Sequence, residues 1–195
     1  MKRSITISLF VFILVWPSLS VAQEITAGAG ISMAPGIGYD SGFVMKAQAS
    51  WNPRGFLIRQ EGVLDLSNKH LMGSGQSSIY RGTFGFTPRG SGPVGGVEFV
   101  SFTGPWTKKA LSAFGGYRFS SEGVYELIVD VRHDIAETYD NRRTIVEGLA
   151  TFNMSKRMLL EVKIAGVRFY TPGASEEDLW RLALSYRVYL VYKFK

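Results

Sequence analysis

From Trp180 to Phe194 every second residue is apolar: Trp180, Leu182, Leu184, Tyr186, Val188, Leu190, Tyr192 and Phe194. Between them stand Arg181, Ala183, Ser185, Arg187, Tyr189, Val191 and Lys193. Side chains of a β-strand alternate between faces with period two, so this segment has one apolar face and one largely polar, cationic face. A strand in a soluble sheet seldom runs so long. Length, alternation and a terminal aromatic are together what the closing strand of a transmembrane β-barrel requires.

The other end agrees. Lys2 and Arg3 precede an apolar run from Ile5 to Trp16, then Pro17 and Ser20-Val21-Ala22. This pattern predicts a secretory signal peptide over residues 1–22, cleaved after Ala22, because the run is too short for a membrane-spanning helix. Without Lys2 and Arg3, the 22 basic residues fall to 20 against 16 acidic ones, a charge of +4. That mild, scattered excess does not point to nucleic acid. There is no Cys, which excludes disulfides, thiol chemistry, zinc-thiolate sites and a lipoprotein anchor. Residues 23–195 are one domain's worth, enough for eight to ten barrel strands.

Period-two reading predicts ten strands over residues 25–34, 42–52, 56–67, 77–87, 93–103, 110–119, 124–133, 143–153, 157–169 and 180–194. The connectors alternate in length. Asn52 to Gly55, Pro88 to Gly92, Ser120 to Gly123 and Met154 to Lys156 are tight turns, and longer loops are expected at Pro35 to Ser41, Asn68 to Gln76, Gly104 to Lys109, Asp134 to Arg142 and Tyr170 to Leu179. Short turns at one rim and longer loops at the other are the asymmetry of an outer-membrane barrel, with both chain ends on the periplasmic, short-turn side.

The more apolar faces of these ten segments carry no charge, as a lipid-facing wall requires, since a Lys or Arg at the bilayer midplane costs about 2–4 kcal/mol. Arg168 breaks parity only at a strand end, where it can snorkel. A soluble lipocalin-like barrel would instead turn this face inward. Aromatic placement argues against that: Trp51, Phe56, Phe86, Phe119, Tyr125, Phe152, Tyr192 and Phe194 fall near the short-turn ends, and Phe43, Tyr80 and Trp180 towards the other. Two belts are what membrane interfaces select.

The opposite faces carry Lys46, Arg59, Glu61, Asp65, Arg81, Glu98, Arg118, Glu126, Asp130, Arg132, Glu147, Glu161, Lys163, Arg181 and Arg187. In a narrow barrel these charges must neutralise one another, which predicts a lumen plugged or nearly plugged by salt bridges. A thin conduit for small solutes or ions is the alternative.

Candidate chemistry is sparse. His133, Asp134 and Glu137 form the His-carboxylate grouping that invites a catalytic reading, but parity turns His133 to lipid and no nucleophile elbow is present. Gly90 to Gly95 matches G-x-G-x-x-G at a hairpin turn, without the helix that nucleotide binding needs. Glu176-Glu177-Asp178 could hold a divalent cation or a basic partner, although a solvated loop accounts for it. Neither a resident metal nor a cofactor is expected. Lys108, Lys109, Arg142 and Arg143 lie near the outer rim, where they could meet lipopolysaccharide phosphates.

Signal peptide, hairpin meander and last strand together resemble the small bacterial outer-membrane β-barrel proteins, the broad class that includes the OmpA and OmpX types. Gly115-Gly116-Tyr117-Arg118-Phe119 is similar to a strand ending frequent in that class. The chain departs from it in placing Lys195 after Phe194. The resemblance implies an antiparallel up-and-down transmembrane barrel of ten strands, with eight as the alternative, in a Gram-negative outer membrane. It also implies contact with the insertion machinery. A structural or interaction role, with a protein partner at the outer loops, is the leading expectation. A narrow channel and a lipid-A-modifying or proteolytic enzyme are the alternatives.

Overall fold

The computed structural model describes residues 24–33, 42–52, 55–66, 77–103, 107–121, 124–137, 142–170 and 182–194. Its ten strands are β1 (Glu24–Met33), β2 (Gly42–Trp51), β3 (Phe56–Asp65), β4 (Ser77–Phe86), β5 (Gly92–Thr103), β6 (Thr107–Ser121), β7 (Tyr125–Glu137), β8 (Arg142–Asn153), β9 (Met158–Tyr170) and β10 (Leu182–Lys193). Each pairs antiparallel with its sequence neighbours, and β10 closes the ring on β1. Closure leaves no unpaired sheet edge.

The closing seam runs from Thr26↔Lys193 to Met33↔Tyr186, and Phe194 N–H donates to Ile25 O at 2.9 Å just beyond it. Gly30 makes this seam possible. A Cβ at Gly30 would sit 1.8 Å from the Val188 carbonyl oxygen, so β1 can press against β10 only where it lacks a side chain. At the short-turn rim Gly55 takes φ +93°, and its carbonyl accepts from Thr87 N–H at 2.8 Å, tying adjacent hairpins together.

Two strands exceed their sequence-based bounds by three or more residues at one end. β6 begins at Thr107 rather than 110, and β7 continues to Glu137 rather than ending at 133. The long connectors expected at Gly104 to Lys109 and Asp134 to Arg142 therefore shrink to residues 104–106 and 138–141. For β7 the physical reason is a bulge: Ser112 pairs with Asp134 but Leu111 pairs with Ala136, which leaves Ile135 as an extra residue. An inserted residue breaks the period-two pattern, and a reader of that pattern stops there.

The outer wall is apolar. Met45, Phe56, Phe84, Phe99, Val131, Val146, Ile164 and Leu190 are among its exposed side chains. Trp51, Phe86, Phe119, Tyr125, Phe152, Tyr192 and Phe194 join Phe56 as exposed aromatics at the short-turn rim, where the Tyr192 and Phe194 rings meet edge-on at 4.9 Å. Polar residues are turned in: Lys46, Asp65, Glu98, Asp130, Asp134, Glu147 and Glu161 are all buried.

Candidate functional site

Ten inward charges form a belt across the middle of the barrel: Lys46, Arg59, Arg81, Arg132 and Lys163 against Glu61, Glu98, Asp130, Glu147 and Glu161. Arg132 of β7 is its hub. Its Nη1 donates to Glu98 of β5 at 2.6 Å, its Nε to Asp130 at 2.7 Å and its Nη2 to Glu147 of β8 at 2.9 Å. One guanidinium thus joins three strands, as its forked, planar donor set allows. Glu147 also receives Lys163 at 2.7 Å and lies 3.7 Å from Arg81. Lys46 pairs with Glu161, reaching across the seam from β2 to β9.

Aromatic rings support the cations from inside. Arg132 lies 5.7 Å from the Phe114 ring centroid and Lys46 5.2 Å from that of Tyr189. Beside the belt is a cavity of about 50 Å³, lined by four cations (Arg59, Arg81, Arg132, Lys163) and four carboxylates (Glu61, Glu98, Asp130, Glu147). Such a volume is room for at least a few water molecules. Its lining charges balance.

Further pairs lie towards the two rims. At the short-turn end Arg118 donates to Glu126 at 2.5 Å and to Pro88 O at 2.6 Å. At the other end Asp134 accepts from Ser112 Oγ at 2.7 Å and from Arg143 Nε at 2.8 Å. Asp65 faces Ser32 Oγ at 3.5 Å. Arg187 lies inward on β10, with its Nε lacking a hydrogen-bond partner among the described groups. Arg181 and Trp180 fall outside the described residues, as does the side chain of Lys108.

Period-two reading missed the apolar part of the interior. Val44, Leu159, Tyr189 and Val191 form a buried cluster, and Leu57, Val94, Ile128 and Leu149 line the cavity beside the charges. Tyr189 and Val191 already stood on the polar face of the last strand, where two adjacent apolar inward positions were a readable signal.

His133, Asp134 and Glu137 are not brought together. His133 is exposed on the outer face with Nδ1 3.0 Å from Thr144 Oγ1. Asp134 faces the opposite way and is buried, and both Glu137 carboxylate oxygens are buried past the bulge. Arg142 and Arg143 also part: the former is exposed, the latter is turned in on Asp134. No group of three or more potential metal ligands occurs among the described residues.

No family model matches the chain, and no curated protein does. Among solved structures, the KdgM porin is similar to it at 10% identity, covering 87% of this chain and 99% of its own, with a TM-score of 0.46. The neisserial surface protein NspA is similar at 10% identity, covering 87% and 94%, with a TM-score of 0.36.

Proposed function

We propose that this chain spans the outer membrane of a Gram-negative bacterium as a non-enzymatic structural or interaction barrel whose lumen is closed, or nearly so, by internal ion pairs. The Arg132 hub carries the reading. Its three carboxylate partners lie on β5, β7 and β8, so the chain's own charges consume the polar interior that a conduit would need to keep open. The outer wall supports the membrane placement: an exposed apolar surface of this extent on a ring with no free edge is suited to lipid and ill suited to water. Outer-membrane lipids and the insertion machinery are the partners this reading requires.

A narrow channel for small ions is the second reading, favoured by the charged cavity of about 50 Å³. Planar bilayers separate the two. The purified wild-type protein should give no stable conductance; regular ion-selective steps, altered by Arg81→Gln, would overturn the closed-lumen reading. Membrane placement is tested by fractionation, with recovery in the soluble periplasmic fraction as the contrary result. For enzymatic action, lipid A mass profiles should be identical between wild type and His133→Ala.

A further inference from the structure

The short turn between β8 and β9 is pinned from within. Met154 N–H and Ser155 N–H both donate to Met158 O, at 3.0 and 3.1 Å. Ser155 Oγ in turn accepts from Arg157 N–H at 3.3 Å and from Met158 N–H at 3.1 Å. From this fixed backbone the Arg157 side chain reaches the neighbouring strand, where Nη1 donates to the Tyr192 hydroxyl of β10 at 3.2 Å. Tyr192 stands on the outward face, exposed next to the buried Val191. Its ring meets that of the exposed Phe194 edge-on at 4.9 Å. The guanidinium is therefore held at the outer surface, level with the aromatic belt of the short-turn rim.

The pairing around it leaves a cation to be matched. Lys193 N–H donates to Arg157 O at 2.8 Å, so β9 and β10 set two cationic residues side by side, which is unfavourable unless each meets an anion. Lys193 has Glu24 of β1 at 3.3 Å. Among the described residues, the guanidinium of Arg157 meets a neutral phenol instead of a carboxylate. Arg118, on the same rim, is by contrast occupied by Glu126. Arg157 and Tyr192 both keep donors to give. The phenol takes one of several guanidinium N–H groups and retains its own O–H.

We infer that Arg157 and Tyr192 form a binding site for the phosphodiester of an anionic phospholipid in the periplasmic leaflet. This rests on the membrane-barrel reading above. Aromatic belts mark the depth of the headgroups, where lipid phosphates lie. A planar guanidinium fork matches two phosphate oxygens, and the phenol O–H adds a donor to the same anion. A zwitterionic headgroup fits less well. Its ammonium would lie near Arg157 and Lys193, with Glu24 already engaged.

The full chain is refolded into phosphatidylcholine vesicles containing equal amounts of phosphatidylglycerol and phosphatidylethanolamine with matched acyl chains, then extracted, and retained lipid is counted by native mass spectrometry. Wild type should retain phosphatidylglycerol with about tenfold preference, the scale of one charge-assisted hydrogen bond. Arg157→Gln should bring retention to parity, and Tyr192→Phe should lower the preference to about threefold through the lost O–H donor. Arg89→Gln, which removes an exposed charge from another turn of the same rim, should leave it unchanged. Equal retention by wild type, or an unchanged preference in either site variant, overturns the site. A loss in Arg89→Gln equal to that in Arg157→Gln overturns it too, in favour of rim charge in general. Displacement of the lipid by millimolar inorganic phosphate overturns the lipid as its ligand in favour of a free anion. Vesicle flotation separates the two failures: a chain that does not float refutes the membrane reading as well, and one that floats without preference refutes the site alone.

Discussion

Arg143 of β8 grips Asp134 of β7 with three donors: its backbone N–H at 3.1 Å, Nε at 2.8 Å and Nη2 at 3.3 Å. Asp134 is 1% exposed, so the carboxylate depends on these donors and on Ser112 for what water would otherwise supply. The pair seals the end of the β7–β8 hairpin immediately below the bulge.

Arg143→Met should therefore destabilise the barrel by about 3 kcal/mol, the low end of the range for stranding one partner of a buried ion pair, since Ser112 still donates. The measurement is urea unfolding in lipid vesicles. The double variant with Asp134→Asn should regain part of the loss, because the amide needs no counter-charge. A single-variant cost below about 1 kcal/mol would show that water already reaches Asp134.

Two glycines should respond oppositely to the same methyl group. At Gly30 an added Cβ lies 1.8 Å from Val188 O, while at Gly115 it meets nothing within 4 Å. Gly30→Ala should prevent β1 from docking on β10 and sharply reduce the heat-modifiable, folded band on gels. Gly115→Ala should leave that band unchanged or gain up to about 1 kcal/mol from lower backbone entropy in the unfolded chain.

Much of this architecture was legible because a closed barrel with an apolar outer wall and a charged interior imposes parity on every strand. The pairings Tyr125↔Phe152 and Phe56↔Phe86 join aromatics that the sequence already placed together near the short-turn ends. The inward charges were legible too, but their partners were not. Arg132 meets Glu98 across 34 residues of sequence and Lys46 meets Glu161 across 115, and strand tilt sets such contacts, which no periodicity encodes. The bulge at Ile135 was invisible for a related reason: one extra residue looks like the end of a strand. With it went the fates of Glu137 and Arg143, which share a neighbourhood in sequence with Arg142 and face the other way in space.

The Arg132 hub yields a prediction with two coupled readouts. Arg132→Ala leaves Glu98, Asp130 and Glu147 facing one another without the guanidinium between them. Stability should fall by about 3–5 kcal/mol. The emptied volume and excess negative charge should also admit cations, so planar bilayers should show small cation-selective steps absent from wild type. Arg132→Lys should restore little, because one ammonium cannot span three carboxylates as a fork does.

The outer wall provides the test that discriminates lipid from water as its surroundings. Val131 is 49% exposed near the middle of β7, and Met154 is 62% exposed in a short turn. In water an arginine at either position would project freely and cost almost nothing. In a bilayer Val131→Arg should cost about 2–4 kcal/mol and Met154→Arg about 0–1, since the penalty falls from the midplane to the interface. Unfolding titrations of both variants in phosphatidylcholine vesicles measure the difference directly. A gap of at least about 1 kcal/mol places the wall in hydrocarbon, and equal stabilities would place it outside.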